Sequence, residues 1–306
     1  MRPTETPATV GSALREAAAR LTEAGSETPR LDAEVLLGHV LGFERATLLA
    51  HLDLALPPAQ MSTFEGLIAR RGTGEPVSYI RGFKEFYGLA LAVDRRALIP
   101  RPETELVVNL ALATIGRRLT ESARPAGTGP YRVWDVGTGS GAIVVALAVE
   151  SRRHRYDSDV RFRATDASPD ALAVAVENAV GHGVADLIEF SVADLAHEAE
   201  NGFDLVVANL PYVPSADIPT LPVAASFEPV SALNGGPDGL DVIRRLAAQL
   251  PTVLVAGGTA LLEIGAGQAD AVRVFVEERL PGWSSEIHPD LANVPRVVEL
   301  TRPVAA

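Results

Sequence analysis

The sequence predicts an α/β protein: a mostly parallel sheet covered by helices on both faces, preceded by a small helical domain. Three observations carry that prediction. From Tyr131 onward, apolar runs of strand length alternate with longer runs of helical spacing, the pattern that strands joined by crossover helices require. Before that point, apolar residues recur at three- and four-residue intervals, as at Leu31, Val35, Leu36 and Val40, which is the period of a helix with one buried face. The chain of 306 residues, 47% of them hydrophobic, is long enough for roughly two domains with sizeable cores.

Residues 9–24, 30–41 and 58–71 are the expected helices of the first domain, the third opening at Pro57-Pro58, because proline fits a helix's first turn. Residues 83–98 alternate well enough for two strands with a turn near Tyr87-Gly88. Residues 116–130, with their Arg, Ser, Gly and Pro content, read as a surface link. The sheet then begins with strand 131–136, helix 142–149 and strand 160–165. Ser168-Pro169-Asp170 opens a helix that Gly181 ends. Strands follow at 187–192 and 203–208, then a long loop at 214–234, a strand at 259–264 after Gly257-Gly258, a helix at 268–280, and final strands near 283–288 and 296–301.

Composition narrows the function classes. No apolar run approaches the roughly 18 residues of a membrane span, and residues 1–7 lack a signal peptide's basic start and apolar core. A soluble, cytoplasmic monomer without a membrane partner is expected. The absence of cysteine excludes disulfides and thiolate chemistry. The six histidines show no close metal-ligand spacing, so no metal is expected. A formal charge of −12 opposes broad attraction to a nucleic-acid backbone, and the arginines at 152, 153, 155, 161 and 163 read as a solvated edge.

Chemistry concentrates at two strand tips. Between the 131–136 strand and the following helix lies Gly137-Thr138-Gly139-Ser140-Gly141, whose glycines permit a sharp turn and close approach of backbone to a ligand. A cofactor is expected there, although Gly137-x-Gly139-x-x-Ala142 also fits a dinucleotide fingerprint. Asp135, two residues before the first glycine, occupies the place where S-adenosylmethionine enzymes usually carry an acid. Asp166 closes the next strand and would accept both ribose hydroxyls; alternatively it starts the helix at Ser168. Asp194 and Leu195 follow the third strand, Asp194 to accept from an adenine amino group and Leu195 to pack on the ring, or else Asp194 caps a turn.

The second tip is Asn209-Leu210-Pro211-Tyr212. A planar nitrogen awaiting methylation has its lone pair spread into a π system, so it needs acceptors for its N–H groups and a flat surface beneath its plane. The Asn209 side-chain oxygen and the Leu210 carbonyl suit the first need, Pro211 stiffens the backbone, and Tyr212 offers the face. The ordinary alternative is a strand-to-turn Asn-x-Pro with Tyr212 filling a gap in the core.

These motifs together resemble the HemK/PrmC family of glutamine-N5 methyltransferases that modify peptide-chain release factors. The resemblance spans about residues 29–298 and includes Pro29-Arg30-Leu31-Asp32-Ala33-Glu34, Gly74-Glu75-Pro76-Val77-Ser78-Tyr79-Ile80, Phe86-Tyr87-Gly88-Leu89, Leu98-Ile99-Pro100-Arg101-Pro102-Glu103-Thr104-Glu105, Phe227-Glu228-Pro229, Gly235-Gly236-x-Asp238-Gly239-Leu240-Asp241 and Leu261-Leu262-Glu263-Ile264-Gly265. It implies a seven-stranded, mostly parallel Rossmann-like methyltransferase sheet. It also implies S-adenosylmethionine as donor, with Asn209 bordering it, and the glutamine of a release-factor Gly-Gly-Gln loop as acceptor. The implied organisation is a helical substrate-recognition domain at 1–82, a connecting β-hairpin at 83–105 and the methyltransferase domain at 106–306. The hairpin's end would reach the cofactor through Arg101, Pro102 and Thr104; Thr104 fits a helix start equally well.

Two positions depart from the family pattern. Leu210 stands where members usually have proline, a form also seen in enzymes that methylate adenine N6, and Asn293 replaces a glycine near the end. The leading expectation is therefore a protein-glutamine methyltransferase using direct in-line transfer without a general base. An adenine-N6 methyltransferase on nucleic acid and a non-catalytic cofactor-binding partner are the alternatives. Glu228 is expected either to orient the pocket from behind or to form a salt bridge within its own loop.

Overall fold

The computed structural model describes residues 8–121, 129–196 and 202–304. The chain divides into two compact units, Met1–Phe83 with Pro222–Phe227, and Lys84–Leu221 with Glu228–Ala306.

The first unit is helical: α1 (Val10–Glu23), α2 (Pro29–Leu41), α3 (Arg45–Ala50), α4 (Pro58–Gly72) and α5 (Val77–Arg81). Thr9 and Ser12 form a reciprocal capping box at the start of α1, which satisfies backbone N–H groups that the helix itself leaves unpaired. Proline opens α2 and left-handed Gly42 (φ 67°) closes it. Val10, Leu14, Leu21, Leu36, Leu37, Phe64 and Ile68 form the core. Asp32 and Glu34 are among the acids buried in this unit. Asp32 accepts from Ser26, Thr28 and Arg71, and Glu34 from Arg30 and Arg45 at 2.9 and 2.7 Å. Each buried carboxylate is thus compensated, as burial of charge demands. The short helices α3 and α5 escape the sequence reading because five or six residues are too few to display a period.

The second unit holds the sheet. A hairpin of β1 (Phe83–Phe86) and β2 (Leu89–Ala92) turns at Tyr87 and Gly88, both with positive φ. After α6 (Glu105–Glu121) come β3 (Tyr131–Val136), α7 (Ala142–Arg153), β4 (Val160–Asp166), α8 (Pro169–Gly181), β5 (Ile188–Val192) and β6 (Phe203–Ala208). Then follow α9 (Asp241–Val253), β7 (Leu254–Glu263), α10 (Ala269–Arg279), β8 (Ser284–Pro289) and β9 (Pro295–Thr301). The seven-stranded order is β5-β4-β3-β6-β7-β9-β8, parallel from β5 to β7 and antiparallel at β9 and β8. Strand order reverses between β3 and β6, and the crevice at such a switch point is where open α/β sheets bind ligands.

Alternation along the strands separates two cores. Leu205 and Val207 of β6 join α6 and α7 on one face, through Val107, Ala111, Ile143 and Leu147. Val206 and Ala208 join α9 and α10 on the other, through Ile243, Leu246, Val272 and Val276. Large side chains such as Trp134 and Phe203 are about 1% exposed, and burying a large apolar side chain stabilises by roughly 1.5–3 kcal/mol.

Two sequence expectations need correction. Helix α6 runs on to Glu121, so 116–121 are not a link; residues 122–128 lie outside the described residues. Strand β7 begins at Leu254 rather than Thr259 because Gly257 (φ 74°) makes a bulge inside it, and the pairing jumps from Phe203–Leu254 to Leu205–Thr259. Read from sequence, the glycine pair resembled a turn.

Candidate active site

A cavity of about 380 Å³ lies at the carboxyl ends of β3 to β6, within the ~300–1,000 Å³ range of small-ligand sites. Its walls include Gly137, Thr138, Gly139, Ser140, Asp166, Asp194, Leu195, Asn209, Leu210, Pro211, Arg101 and Thr104. The structure therefore gathers most of the expected site residues around one space. Asp135, Gly141, Pro102 and Tyr212 are not in the wall.

Gly137, Gly139 and Gly141 all have left-handed φ, at 72°, 57° and 81°, and beyond that the reasons for glycine differ. A Cβ on Gly137 would meet Leu210 Cδ2 at 2.7 Å, and one on Gly141 would meet Ala175 Cα at 3.0 Å, whereas one on Gly139 meets nothing within 4 Å. Gly141 packs the turn against α8. Gly139 borders open space in the cavity.

Asp166 has both oxygens engaged: Oδ2 accepts from the Gly139 N–H and Oδ1 from the Ser168 N–H, each at 2.8 Å. Ser168 in turn caps α8 by accepting from Ala171. Asp166 thus supports the start of α8 through Ser168 while lining the cavity, and a carboxylate's remaining lone pairs stay available to a ligand. Burial pushes its pKa up, against the pull of these backbone N–H groups.

Asp135 lies outside the cavity wall. It is 1% exposed and sits beneath the turn, its Oδ2 accepting from the Thr138 hydroxyl at 2.7 Å and the Val144 N–H at 3.2 Å. Its Oδ1 has no hydrogen-bond partner among the described residues. Burial raises its pKa to about 7. Its position on β3 points it at the α7 face, so it braces the turn from below.

At the second tip, the Asn209 side chain donates through Nδ2 to Thr104 Oγ1 at 2.9 Å, which leaves Oδ1, beside the cavity, without a hydrogen-bond partner among the described residues. Leu210 is 4% exposed and joins the core on the α9 face while touching the space above Gly137. Its carbonyl, the group the proposed acceptor site needs, remains, as it does in every residue. Tyr212 also lies outside the wall. Its ring packs against the α9-side core, its carbonyl accepts from Gln268, and burial, with Glu263 next, raises its pKa to about 12. Pro102 is exposed and opens the short 3-10 turn Pro102–Thr104 ahead of α6, so Thr104 ends a helical turn and bonds Asn209 at once.

Glu228 is 5% exposed and pairs outside its own loop: it accepts from the Ile99 N–H at 3.1 Å and from Arg101 at 2.7 Å. Asp194 is paired with Arg245 at 2.6 Å on the cavity rim. Sequence reading missed Arg96 and Arg245, which also line the cavity, and Glu263. No local motif marks the arginines; the only signal for Glu263 was its place in the Leu261-Leu262-Glu263-Ile264-Gly265 segment. The arginines at 152 and 153 engage Asp186 and Glu150, as a solvated edge would. Strand pairing brings Glu286, His288 and Glu299 together, their ligand-type atoms within 4.8 Å, although none of the three lines the cavity.

The arrangement suits a nucleoside-bearing donor. A glycine turn leaves open space at Gly139, acids stand at two successive strand tips, and an acceptor oxygen sits across the cavity on β6's tip. Residues 12–82 match the family described as "PrmC N-terminal domain", and residues 129–266 that described as "Methyltransferase domain". The chain is 41% identical over 286 residues to the release factor glutamine methyltransferase of Moorella thermoacetica, covering 93% of this chain and 95% of that one. It is 40% identical over 274 residues to that of Rhodospirillum rubrum, covering 89% and 79%. Among solved structures, the human Mettl16 catalytic domain in complex with MAT2A 3′UTR hairpin 6 aligns with a TM-score of 0.52 at 14% identity, over 72% of this chain and 77% of that one. That likeness speaks for the fold alone.

Proposed function

This chain belongs to the release factor glutamine methyltransferase family and is an S-adenosylmethionine-dependent protein-glutamine methyltransferase, and we propose that Asn209 and the Leu210 carbonyl hold the acceptor amide while the Gly137–Gly141 turn and Asp166 hold the donor. The observation that carries this reading is the Asn209–Thr104 hydrogen bond. It commits the amide nitrogen elsewhere and turns an oxygen toward the cavity, as an NH2 group to be methylated requires.

S-adenosylmethionine, when bound, supplies a methyl group made electrophilic by its sulfonium. The protein's contribution is alignment. Two acceptors on the NH2 hydrogens fix the plane of the glutamine amide, direct its nitrogen lone pair, and stabilise the positive charge that develops there. The cavity wall is apolar at Leu195, Leu210 and Pro211. Proton loss from the methylated amide goes to solvent, since the cation is a strong acid. Arg101, clamped by Glu228, shapes the wall beside Thr104.

The finer acceptor is the N5 of the glutamine in the Gly-Gly-Gln loop. Domain 1–82 reads the body of the release factor, hairpin 83–105 links it to the transferring domain 106–306, and the enzyme works as a monomer in the cytoplasm, where translation terminates. The test is donor turnover with purified release factor, with total RNA and with neither. Turnover with release factor alone, the methyl found on the Gly-Gly-Gln glutamine, is expected; turnover with RNA alone overturns the reading.

A further inference from the structure

We infer that Gln268 is a positioning residue for methyl transfer: its side-chain amide holds the backbone of the acceptor tip and, through it, the direction of the Leu210 carbonyl. This role rests on the acceptor reading of Asn209 and Leu210 and deepens it by naming what keeps the second acceptor in place.

Gln268 stands at the N-cap of α10, yet its side chain makes no capping bond to that helix. N-caps favour Ser, Thr, Asp and Asn, whose short side chains reach the helix's own free N–H groups. The longer Gln268 side chain reaches other segments instead. Its Oε1 accepts from the Gly265 N–H at 2.7 Å, and its Nε2 donates to the Tyr212 carbonyl at 2.9 Å and the Asp238 carbonyl at 3.3 Å. Only one orientation of an amide matches a donor on one side and two carbonyls on the other.

The surroundings of the tip leave room for that contact. Gly235 and Gly265 lie outside the left-handed region, so close approach and not φ accounts for glycine there. A Cβ on Gly235 would stand 2.6 Å from the Pro211 carbonyl oxygen. One on Gly265 would stand 3.0 Å from Gln268 Oε1 and 3.1 Å from Tyr212 Cδ2. One on Gly239 would overlap the Tyr212 carbonyl oxygen and approach Gln268 Nε2. Three glycines from two loops therefore let Gln268 and the neighbouring backbone close on Pro211 and Tyr212.

The consequence for the acceptor follows from where the tip is fastened. Upstream, Ala208 at the end of β6 pairs with Leu262 of β7. Downstream, the Val213 N–H donates to the Leu233 carbonyl and the Val213 carbonyl accepts from the Gly235 N–H, each at 2.9 Å. Between these anchors Pro211 has no N–H, so the peptide that carries the Leu210 carbonyl cannot be held by a donor of its own. Gln268 grips the Tyr212 carbonyl just beyond it, and thereby limits rotation at Pro211 and Tyr212. With that grip lost, the Leu210 carbonyl drifts from the substrate NH2 while Asn209 stays fastened to Thr104. One acceptor of two is misplaced, so the loss is smaller than that from removing the Asn209 amide.

The test measures kcat, substrate KM and donor Kd for Gln268→Leu, Gln268→Glu and Gly265→Ala on a Gly-Gly-Gln substrate, alongside Asn209→Ala. Gln268→Leu removes both amide contacts. Gln268→Glu keeps the size and the acceptor for Gly265 but sets a carboxylate against the Tyr212 carbonyl. Each should lose about ten- to a hundredfold in kcat, the scale of a slight misplacement at a reacting centre, with KM changed less and donor Kd little changed. The Glu variant should be at least as slow as the Leu variant. Gly265→Ala, which presses on Gln268 and Tyr212 together, should also lower kcat. Wild-type kcat in Gln268→Leu overturns the inference. So does a Glu variant faster than the Leu variant, because size and the Gly265 bond would then be what matters, and so does a donor Kd that rises in step with the loss of kcat. If neither Gln268 variant folds, Gly265→Ala decides, and wild-type kcat there overturns the inference. Normal turnover by Asn209→Ala would instead overturn the acceptor reading; an inactive Asn209→Ala beside a fully active Gln268→Leu would overturn only the role of Gln268.

Discussion

The glycine turn at 137–141 and the acceptor tip at 209–212 border the same cavity, yet they are built by opposite means. The turn is made by its own residues: three left-handed glycines, and an acid one strand away that accepts from the Gly139 N–H. The tip is made by residues far along the chain, because Asn209 is oriented by Thr104, 105 positions earlier, and its floor is Leu210 packed over Gly137. A site carried by backbone conformation writes itself locally. A site carried by side-chain direction is distributed, and its members can be altered one at a time.

That contrast predicts different failures. Asn209→Ala should have the largest effect on turnover, a loss of about 10²–10³, the scale seen when one positioned hydrogen-bonding partner of a transition state is removed. Donor affinity by calorimetry should be nearly unchanged. An equal loss of affinity would move Asn209 to the donor side and erase the division between the regions. Gly139→Val should fail at the other step. Its φ of 57° is costly for a β-branched residue and its side chain enters open cavity space, so donor binding is lost from a protein that still folds. A normal donor Kd in folded Gly139→Val would remove the turn from the donor site.

A third change acts on stability. The folded-state pKa of Asp135 lies near 7, above the ordinary value of 3.8. The folded protein therefore binds more protons between about pH 4 and 7, and this group's contribution to stability is full below pH 4 and lost as pH rises through 7. Asp135→Asn keeps an acceptor for Thr138 and the Val144 N–H without the buried charge. Urea unfolding of the ligand-free protein should show the variant more stable at pH 8 by about 1–3 kcal/mol, with the gap closing toward pH 5. A gap that widens on acidification would contradict the buried-charge account. The smallest effect on activity belongs to Leu210→Pro, which keeps the carbonyl. Turnover should stay within a few-fold, while the lost burial of Leu210 costs about 1–2 kcal/mol of stability. A collapse of activity would show that the Leu210 N–H or side chain serves the reaction.

The same contrast explains what could be read from the sequence. Strands β3 and β6 and the start of α8 are legible because their apolar runs and caps are local. The short helices α3 and α5 and the bulge in β7 are not, since five residues show no period and a glycine pair inside a strand looks like a turn. Within the site, Gly137, Gly139, Asp166 and Asn209 follow from motif and strand end. Asp135 and Tyr212 adjoin the motifs in sequence but not the cavity wall: strand direction puts Asp135 beneath the turn, and Tyr212 packs against the α9-side core. Glu228 is expected either to orient the pocket from behind or to pair within its loop, and its partner Arg101 becomes visible only once the tertiary fold brings them to 2.7 Å.

The most direct measurement is a structure of the enzyme with the demethylated donor and a Gly-Gly-Gln peptide bound together. The account predicts the glutamine NH2 within hydrogen-bonding distance of both Asn209 Oδ1 and the Leu210 carbonyl, with the donor against the Gly137–Gly141 turn. A glutamine amide held by other groups, with Asn209 turned to the donor, would contradict it.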